Sequence, residues 1–233
     1  MQTSLPTALL QTTAGREADE ILRNCVHCGF CNATCPTYQL TGDELDGPRG
    51  RIYLIKQVLE GQQATRKTQQ HLDRCLTCRA CETTCPSGVD YHRLLDTGRD
   101  MVEGSVQRSP GDRFTRRMLR MLLPWPARFA PLLRMGQMVR PLLPAALRQH
   151  VPARQPGLRT PSTGQHARTM LLLDGCVQPS LAPQINHATV RVLDALGISV
   201  VSASNSGCCG AVSHHLNAAA EARTFIRTNI DAW

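Results

Sequence analysis

Two stretches decide the reading of this sequence. The first is Cys25-Val26-His27-Cys28-Gly29-Phe30-Cys31-Asn32-Ala33-Thr34-Cys35-Pro36. The second is Cys75-Leu76-Thr77-Cys78-Arg79-Ala80-Cys81-Glu82-Thr83-Thr84-Cys85-Pro86. Both leave two residues in each of the first two gaps and three in the last, and both end on proline. They stand fifty residues apart, and Leu22/Leu72 and Thr34/Thr84 match at the same offset. This is an internal duplication.

The spacing has a chemical reason. A cubane 4Fe-4S cluster needs four thiolates, one for each iron corner. Two-residue gaps let one loop curl round a cluster and offer three sulfurs, with its backbone N–H groups facing the cluster sulfides. The fourth cysteine points away, and in two-cluster ferredoxins it ligates the other cluster. The expected sets are therefore Cys25, Cys28, Cys31 and Cys85 for one cluster, and Cys75, Cys78, Cys81 and Cys35 for the other. Zinc also takes four thiolates, but its sites come as separated pairs of cysteines. Four cysteines in eleven residues followed by proline, twice over, favour two 4Fe-4S clusters. Arg23, Arg74 and Arg79 flank the ligands, where guanidinium groups beside an anionic cluster would favour its reduced form, although each alone reads more readily as a solvated surface arginine. His27 between two ligands reads as a bystander.

Composition agrees with a metal protein. The chain has 233 residues, a net charge of +8, 42% hydrophobic and 4% aromatic residues, and 11 cysteines. No run of 18 apolar residues suggests a membrane span. The first twenty residues have neither the basic nor the apolar region of a secretory signal. Many cysteines without an export signal point to a reducing compartment, where thiolates hold metals rather than disulfides. The expected location is the cytoplasm.

Three domains are expected: 1–104, helical, with the two cysteine motifs; 105–168, an Arg/Pro-rich helix and linker; and 169–233, an α/β segment. In the first, helices are expected at Glu17–Asn24, from Pro48 with Ile52, Ile55, Val58 and Leu59 on one face to Gly61, at Ala64–Asp73, and at Val89–Glu103 with Gly104 as the stop. From Arg108 to Arg168 there are twelve arginines, no lysine and one acid, Asp112, so this stretch holds +11 and the rest of the chain −3. A helix is expected at Asp112–Leu123, then a linker broken by prolines 124, 126, 131, 141, 144, 152, 156 and 161. The last segment reads as strand Thr169–Leu173, a helix with Ile185, Ala188, Thr189, Val192, Leu193 and Leu196 on one face, Gly197 as its cap, strand Ile198–Val201, and a helix from Ser213 to Ala232. Strand, helix, strand, helix begins a parallel sheet. The expected fold class is mainly α, with a helical two-cluster ferredoxin-like domain followed by an incomplete α/β domain.

No GxGxxG follows a strand, no phosphate-binding GxxxxGK[ST] occurs, and no Ser/His/Asp grouping stands out. Two one-electron relays without a two-electron site suit a chain that moves electrons for another subunit. Two other classes compete. A stand-alone electron carrier needs the same clusters, and the arginines and a pI of 9.1 suit a nucleic-acid-binding metal module. The second lacks stacking aromatics, with only Phe114, Trp125 and Phe129 in the basic stretch, so no nucleic-acid partner is expected. A basic helix carrying Arg113, Arg116, Arg117 and Arg120 beside Met118, Leu119, Leu122 and Leu123 suits a membrane-facing or partner-facing surface, and equally a core-packed helix with a solvated face.

The paired motifs, the linking GDELDGPRGRIYLIKQVLEG, the stretches HLDRCLTC and CETTCPSGV, and the later DGC with GCCGAV together resemble the iron–sulfur subunits of bacterial glycolate oxidase (glycolate dehydrogenase). The resemblance runs from about residue 18 onward and is weakest in the Arg/Pro-rich stretch. The wider family includes iron–sulfur subunits for lactate and glycerol-3-phosphate oxidation. The resemblance implies an oxidoreductase complex in which a flavoprotein subunit, carrying FAD, oxidises glycolate to glyoxylate. This chain would then have no catalytic residues of its own. It would pass electrons toward the quinone pool, as a cytoplasmic protein or one peripheral on the cytoplasmic face of the inner membrane.

The family's cysteine-rich CCG domain reads as a cysteine, a gap of thirty-odd residues, CCG, a second gap and CxxC. Cys176 and Cys208-Cys209-Gly210 match the first half, and no CxxC follows. The resemblance therefore implies an incomplete site at Cys176, Cys208 and Cys209. Two parallel strands and two helices cannot cover both faces of a sheet. The expectation is a chain that forms the front part of a longer protein, with an exposed sheet edge.

Overall fold

The computed structural model describes residues 1–155, 164–203 and 205–233. Met1–Ser109 form one compact unit and Pro110–Trp233 another. The fold is mainly α, with a helical unit around the cysteine motifs and a small α/β portion near the end.

In the first unit, α1 (Thr7–Leu10) leads into α2 (Thr13–Asn24). α2 starts four residues before its expected start because the Thr12 hydroxyl accepts from the Gly15 N–H, an N-cap that the apolar periodicity alone did not reveal. After the short helices α3 (Phe30–Ala33) and α4 (Pro36–Thr41), a 3-10 turn at Glu44–Asp46 feeds α5 (Pro48–Leu59). Pro48 sits in the first turn of α5, where its missing N–H costs nothing. α6 (Arg66–Asp73) opens on a reciprocal cap between Thr65 and Thr68. α7 (Ala80–Thr83) and α8 (Tyr91–Ser105) complete the unit.

The core is built from one stripe of each long helix. Ala18, Ile21 and Leu22 come from α2, Ile52, Ile55 and Leu59 from α5, Leu72 from α6, and Leu94, Leu95 and Val102 from α8. Each fully buried leucine or isoleucine contributes about 1.5–3 kcal/mol. Gly98 lets α8 approach α5: a Cβ there would stand 2.6 Å from Ile55 Cγ1. Gly104 does not stop α8. An interior glycine costs only about 1 kcal/mol against alanine, and the helix runs on until buried Val106, whose carbonyl accepts from Gln69 Nε2 at 3.2 Å.

The second unit starts with α9 (Pro110–Leu122). The expected proline-broken linker is largely helical instead: α10 (Pro126–Val139), a 3-10 turn at Arg140–Leu142 and α11 (Ala145–Arg148). Pro126 and Pro141 fall in first turns, where proline is tolerated, and among the described residues of this stretch only Pro131 lies deep inside a helix. Pro156 and Pro161 lie outside the described residues. β1 (Arg168–Leu172) pairs in parallel with β2 (Ile198–Ser202), Arg168 opposite Ile198. Between them run α12 (Gln178–Leu181) and α13 (Pro183–Ala195), and Gly197 turns the chain with φ +72°. The last expected helix is two, α14 (Ala211–His215) and α15 (Ala219–Ala232), split where Asn217 takes φ +59°.

The sheet is open among the described residues. Met170, Leu173 and Val201 are exposed, and so are Ile185, Val192 and Leu196 on α13. α13 buries Val190 instead, so most of its expected core face looks outward.

Candidate metal centre

The duplication is visible in the backbone. α2 and α6 deliver Cys25 and Cys75 just past their last turns, with Cys25 N–H donating to Leu22 O and Cys75 N–H to Leu72 O, both at 3.2 Å. The chain then enters the left-handed region twice in each motif, at His27 and Gly29 and at Thr77 and Arg79, with φ between +53° and +88°. These reversals curl each loop around its first three cysteines. At a non-glycine residue each costs on the order of 1–2 kcal/mol, so the fold holds the loops in a shape they would not choose. The single-turn helices α3 and α7 follow and pack on each other. Thr34 Oγ1 donates to Ala80 O and Thr84 Oγ1 to Thr34 Oγ1, each at 3.3 Å, so equivalent residues meet where the halves touch.

The thiols fall into two neighbourhoods. A cavity is lined by Cys25, Cys28, Cys31, Cys81 and Cys85, with Pro48, Ile52, Val89 and Tyr91 as apolar walls. Burial pushes the Cys31 thiol up to about 11, and Cys25, Cys28 and Cys85 add to the shift through their charge. Burial also raises Cys25, where Cys85 and Cys28 act in the same direction. Cys81 is pushed up to about 12, first by burial and then by Cys75, Glu82, Cys31 and Cys35. Cys85 thus neighbours Cys25 and Cys31, and Cys35 neighbours Cys81. Cys31 acts on Cys81 as well, so the two groups adjoin. Cys28 and Cys78 lie at the surface.

Polar groups brace both loops. Val89 N–H donates to Cys85 Sγ at 3.5 Å, and the Tyr91 hydroxyl stands 3.6 Å from Cys75 Sγ. Thr37 Oγ1 is 3.2 Å from Cys35 Sγ, donates to Asp46 O at 2.8 Å and accepts from Arg51 Nη1 at 3.1 Å. Buried Asp46 is 2.8 Å from His71 Nδ1 and 2.7 Å from Arg74 Nη1. Burial alone would raise its carboxyl, but these two partners outweigh that and hold it below the usual range.

In the second unit, Cys208 is buried and Cys209 exposed at the start of α14. Burial lifts the Cys208 thiol to about 11, opposed by the Gly210 N–H and reinforced by a hydrogen bond with Cys176 and by Cys209. Gly210 takes φ +84° and lies so near α15 that a Cβ would sit 2.8 Å from Ala222 O. Asn229 ties the turn by donating to Cys208 O at 2.9 Å and accepting from Gly207 N–H at 2.8 Å. The three late cysteines are therefore brought together.

Residues 21–89 match the family described as a 4Fe-4S dicluster domain, and residues 170–233 match a cysteine-rich domain. Over its whole length the chain is 58% identical to the glycolate oxidase iron-sulfur subunit of Escherichia coli (strain K12), of which it covers 57%. The chain is similar along its whole length to a glycolate oxidase iron–sulfur subunit, and it carries both domains in that order. It is also 31% identical over 239 residues to the probable glycolate oxidase iron-sulfur subunit of Bacillus subtilis (strain 168), covering 91% of this chain and 54% of that one. The chain spans a little over half the length of these relatives. No solved structure matches it.

The donor set fits the clusters that a dicluster domain of this family carries. Burial and the neighbouring thiols raise Cys25, Cys31 and Cys81, which favours their neutral form when no metal is bound. A cationic iron core reverses that balance, and soft thiolates are its preferred ligands.

Several residues of this shell were not singled out from the sequence. Arg51, Asp46, His71 and Tyr91 lie among ordinary helix positions, and only their burial marks them. The flanking arginines that the sequence did mark are paired with carboxylates: Arg23 with Asp19, Arg74 with Asp46 and Arg79 with Glu82, all at 2.7 Å. His27 packs its ring edge-on against Tyr53, and burial lowers its pKa.

Proposed function

We propose that this chain is the electron relay of a glycolate-oxidising complex. One cluster is held by Cys25, Cys28, Cys31 and Cys85, and the other by Cys75, Cys78, Cys81 and Cys35. A flavoprotein partner removes two electrons and two protons from glycolate to give glyoxylate. A 4Fe-4S cluster bound at either set would supply one-electron transfer. The chain's own residues hold the sulfurs, exclude water with Ile52, Val89 and Tyr91, and keep the two thiol groups adjacent. The observation that supports the reading is that Cys85 lines one cavity with Cys25, Cys28 and Cys31 and raises Cys25 and Cys31, while Cys35 is near enough to Cys81 to raise it. The 58% identity supports the choice of glycolate over other hydroxy acids.

The test is to purify the chain anaerobically with and without its flavoprotein partner and add glycolate. Cluster reduction seen by electron paramagnetic resonance only when the partner is present supports the reading. Reduction by lactate but not glycolate would overturn the substrate.

The complex would also meet the cytoplasmic face of the inner membrane. Among the described residues no helix is long and apolar enough to cross a membrane. Leu132, Met135, Met138, Val139 and Leu142 form an exposed stripe along α10 and the turn after it, in a stretch with no acidic residue between Asp112 and Asp174. Basic and apolar side chains together suit an anionic lipid surface. α9 is less suited: Arg116 pairs with Asp112, Arg120 with Glu221, and Met118, Leu122 and Leu123 are half-buried.

A further inference from the structure

The entry to the second motif is held by a buried cation. Arg99, on α8 and only 6% exposed, donates from Nη2 to Leu72 O at 2.9 Å and to Cys75 O at 3.0 Å. Its Nε reaches Leu72 O and its Nη1 reaches Thr77 Oγ1, both at 3.3 Å. In the first motif the equivalent carbonyls are those of Leu22 and Cys25, and they accept from the nitrogen of Met1. The two halves thus satisfy the same pair of carbonyls with different groups, and in the second half that group is a side-chain cation.

Part of the role of Arg99 is structural, because the carbonyls of Leu72 and Cys75 lose this donor when it is replaced. What arginine adds is geometry and charge. Its planar fork serves several acceptors at once, which lysine cannot do, and it does not lose its proton. The acceptors are the carbonyl of a cysteine and the side chain of Thr77, the left-handed residue that curls the loop toward Cys78.

We propose that Arg99 is a positioning residue that fixes the Cys75–Cys78 loop and raises the reduction potential of the cluster bound there. The inference rests on the ligand sets proposed above. A reduced cluster carries one more negative charge than an oxidised one. A permanent cation beside the ligand backbone, in a region closed to water, favours the reduced form.

The test uses the full chain, purified anaerobically, as wild type, Arg99→Met and Arg99→Lys. Iron content and a redox titration followed by electron paramagnetic resonance are read for both clusters. In Arg99→Met one midpoint moves to a more negative potential while the other stays, or that one cluster alone is lost. Arg99→Lys shifts the same cluster less, or retains it. If Arg99→Met does not fold, Arg99→Gln, which keeps donors but not the charge, decides by the same criterion: one midpoint moved to a more negative potential supports the inference, and none moved, or one moved to a more positive potential, overturns it. Midpoints unchanged in both variants, or both clusters shifted equally, also overturn it and leave the ligand sets standing. A wild-type chain without two clusters removes those sets, and this inference with them.

Discussion

Arg51 and His71 join the two halves of the duplication. Arg51, fully buried on α5 after the first motif, donates from Nε to the carbonyl of His71 at 2.7 Å, on α6 before the second. The same guanidinium reaches Thr37, which touches the Cys35 sulfur, and its Nη2 lies 3.7 Å from Asp46. One side chain thus links the last cysteine of one motif to the helix that presents the first cysteine of the other.

Removing this cation is expected to be severe. Arg51→Met removes the guanidinium donor from Thr37 and from the His71 carbonyl and weakens the screening of buried Asp46. Breaking a buried pair typically costs about 3–5 kcal/mol. Chemical unfolding of the variant checks this, and a loss below about 1 kcal/mol would contradict the role given to Arg51.

The contact between α5 and α8 admits no extra methyl group. Gly98→Ala is expected to lose about 1–3 kcal/mol by overpacking against Ile55. In the double variant with Ile55→Val, part of that loss returns, because the shorter side chain makes room. Equal losses in the single and double variants would show that the glycine serves something other than close approach.

The raised thiols set a pH window for the chain stripped of metal. Cys31 and Cys81 have folded values of about 11 and about 12 against an ordinary 9.0. A thiol raised on folding favours the folded state fully below its unfolded value, and that contribution is lost as pH rises through the folded value. Stability of the metal-free chain is therefore expected to fall between about pH 9 and 12, by up to roughly 1.4 kcal/mol per pH unit for each such thiol. Unfolding midpoints measured across that range check the sign. A midpoint that rises with pH would contradict it.

The α10 stripe makes a separate prediction. Leu132→Ser with Met138→Ser is expected to reduce flotation with vesicles of anionic phospholipid several-fold, with little change in unfolding midpoint because both residues are exposed. Binding that is unaltered by the pair would remove α10 from the membrane surface.

Much of this was legible in the sequence, and the reasons are specific. The cysteine spacing carries its own chemistry, and Pro48, Gly61 and Gly197 mark helix ends by effects confined to one residue. Gly104 misled because a glycine stops a helix only when the next residues gain by leaving, and here Val106 gains by packing where α8 ends. Pro126 and Pro141 misled because a proline in a first turn starts a helix as readily as another breaks one. The outward face of α13 could not be foreseen, since periodicity tells which residues share a face but not what covers it. Arg51 and Arg99 were invisible for the same reason: a sequence shows the charge of an arginine and not its burial.

The central claim is that the last cysteine of each motif serves the other cluster. The most direct measurement compares four full-length variants, Cys28→Ser, Cys85→Ser, Cys78→Ser and Cys35→Ser, by the electron paramagnetic resonance spectrum of the cluster each leaves undamaged. The account predicts that Cys35→Ser leaves the same spectrum as Cys78→Ser, and Cys85→Ser the same as Cys28→Ser. A Cys35→Ser spectrum that matches Cys28→Ser instead would contradict it.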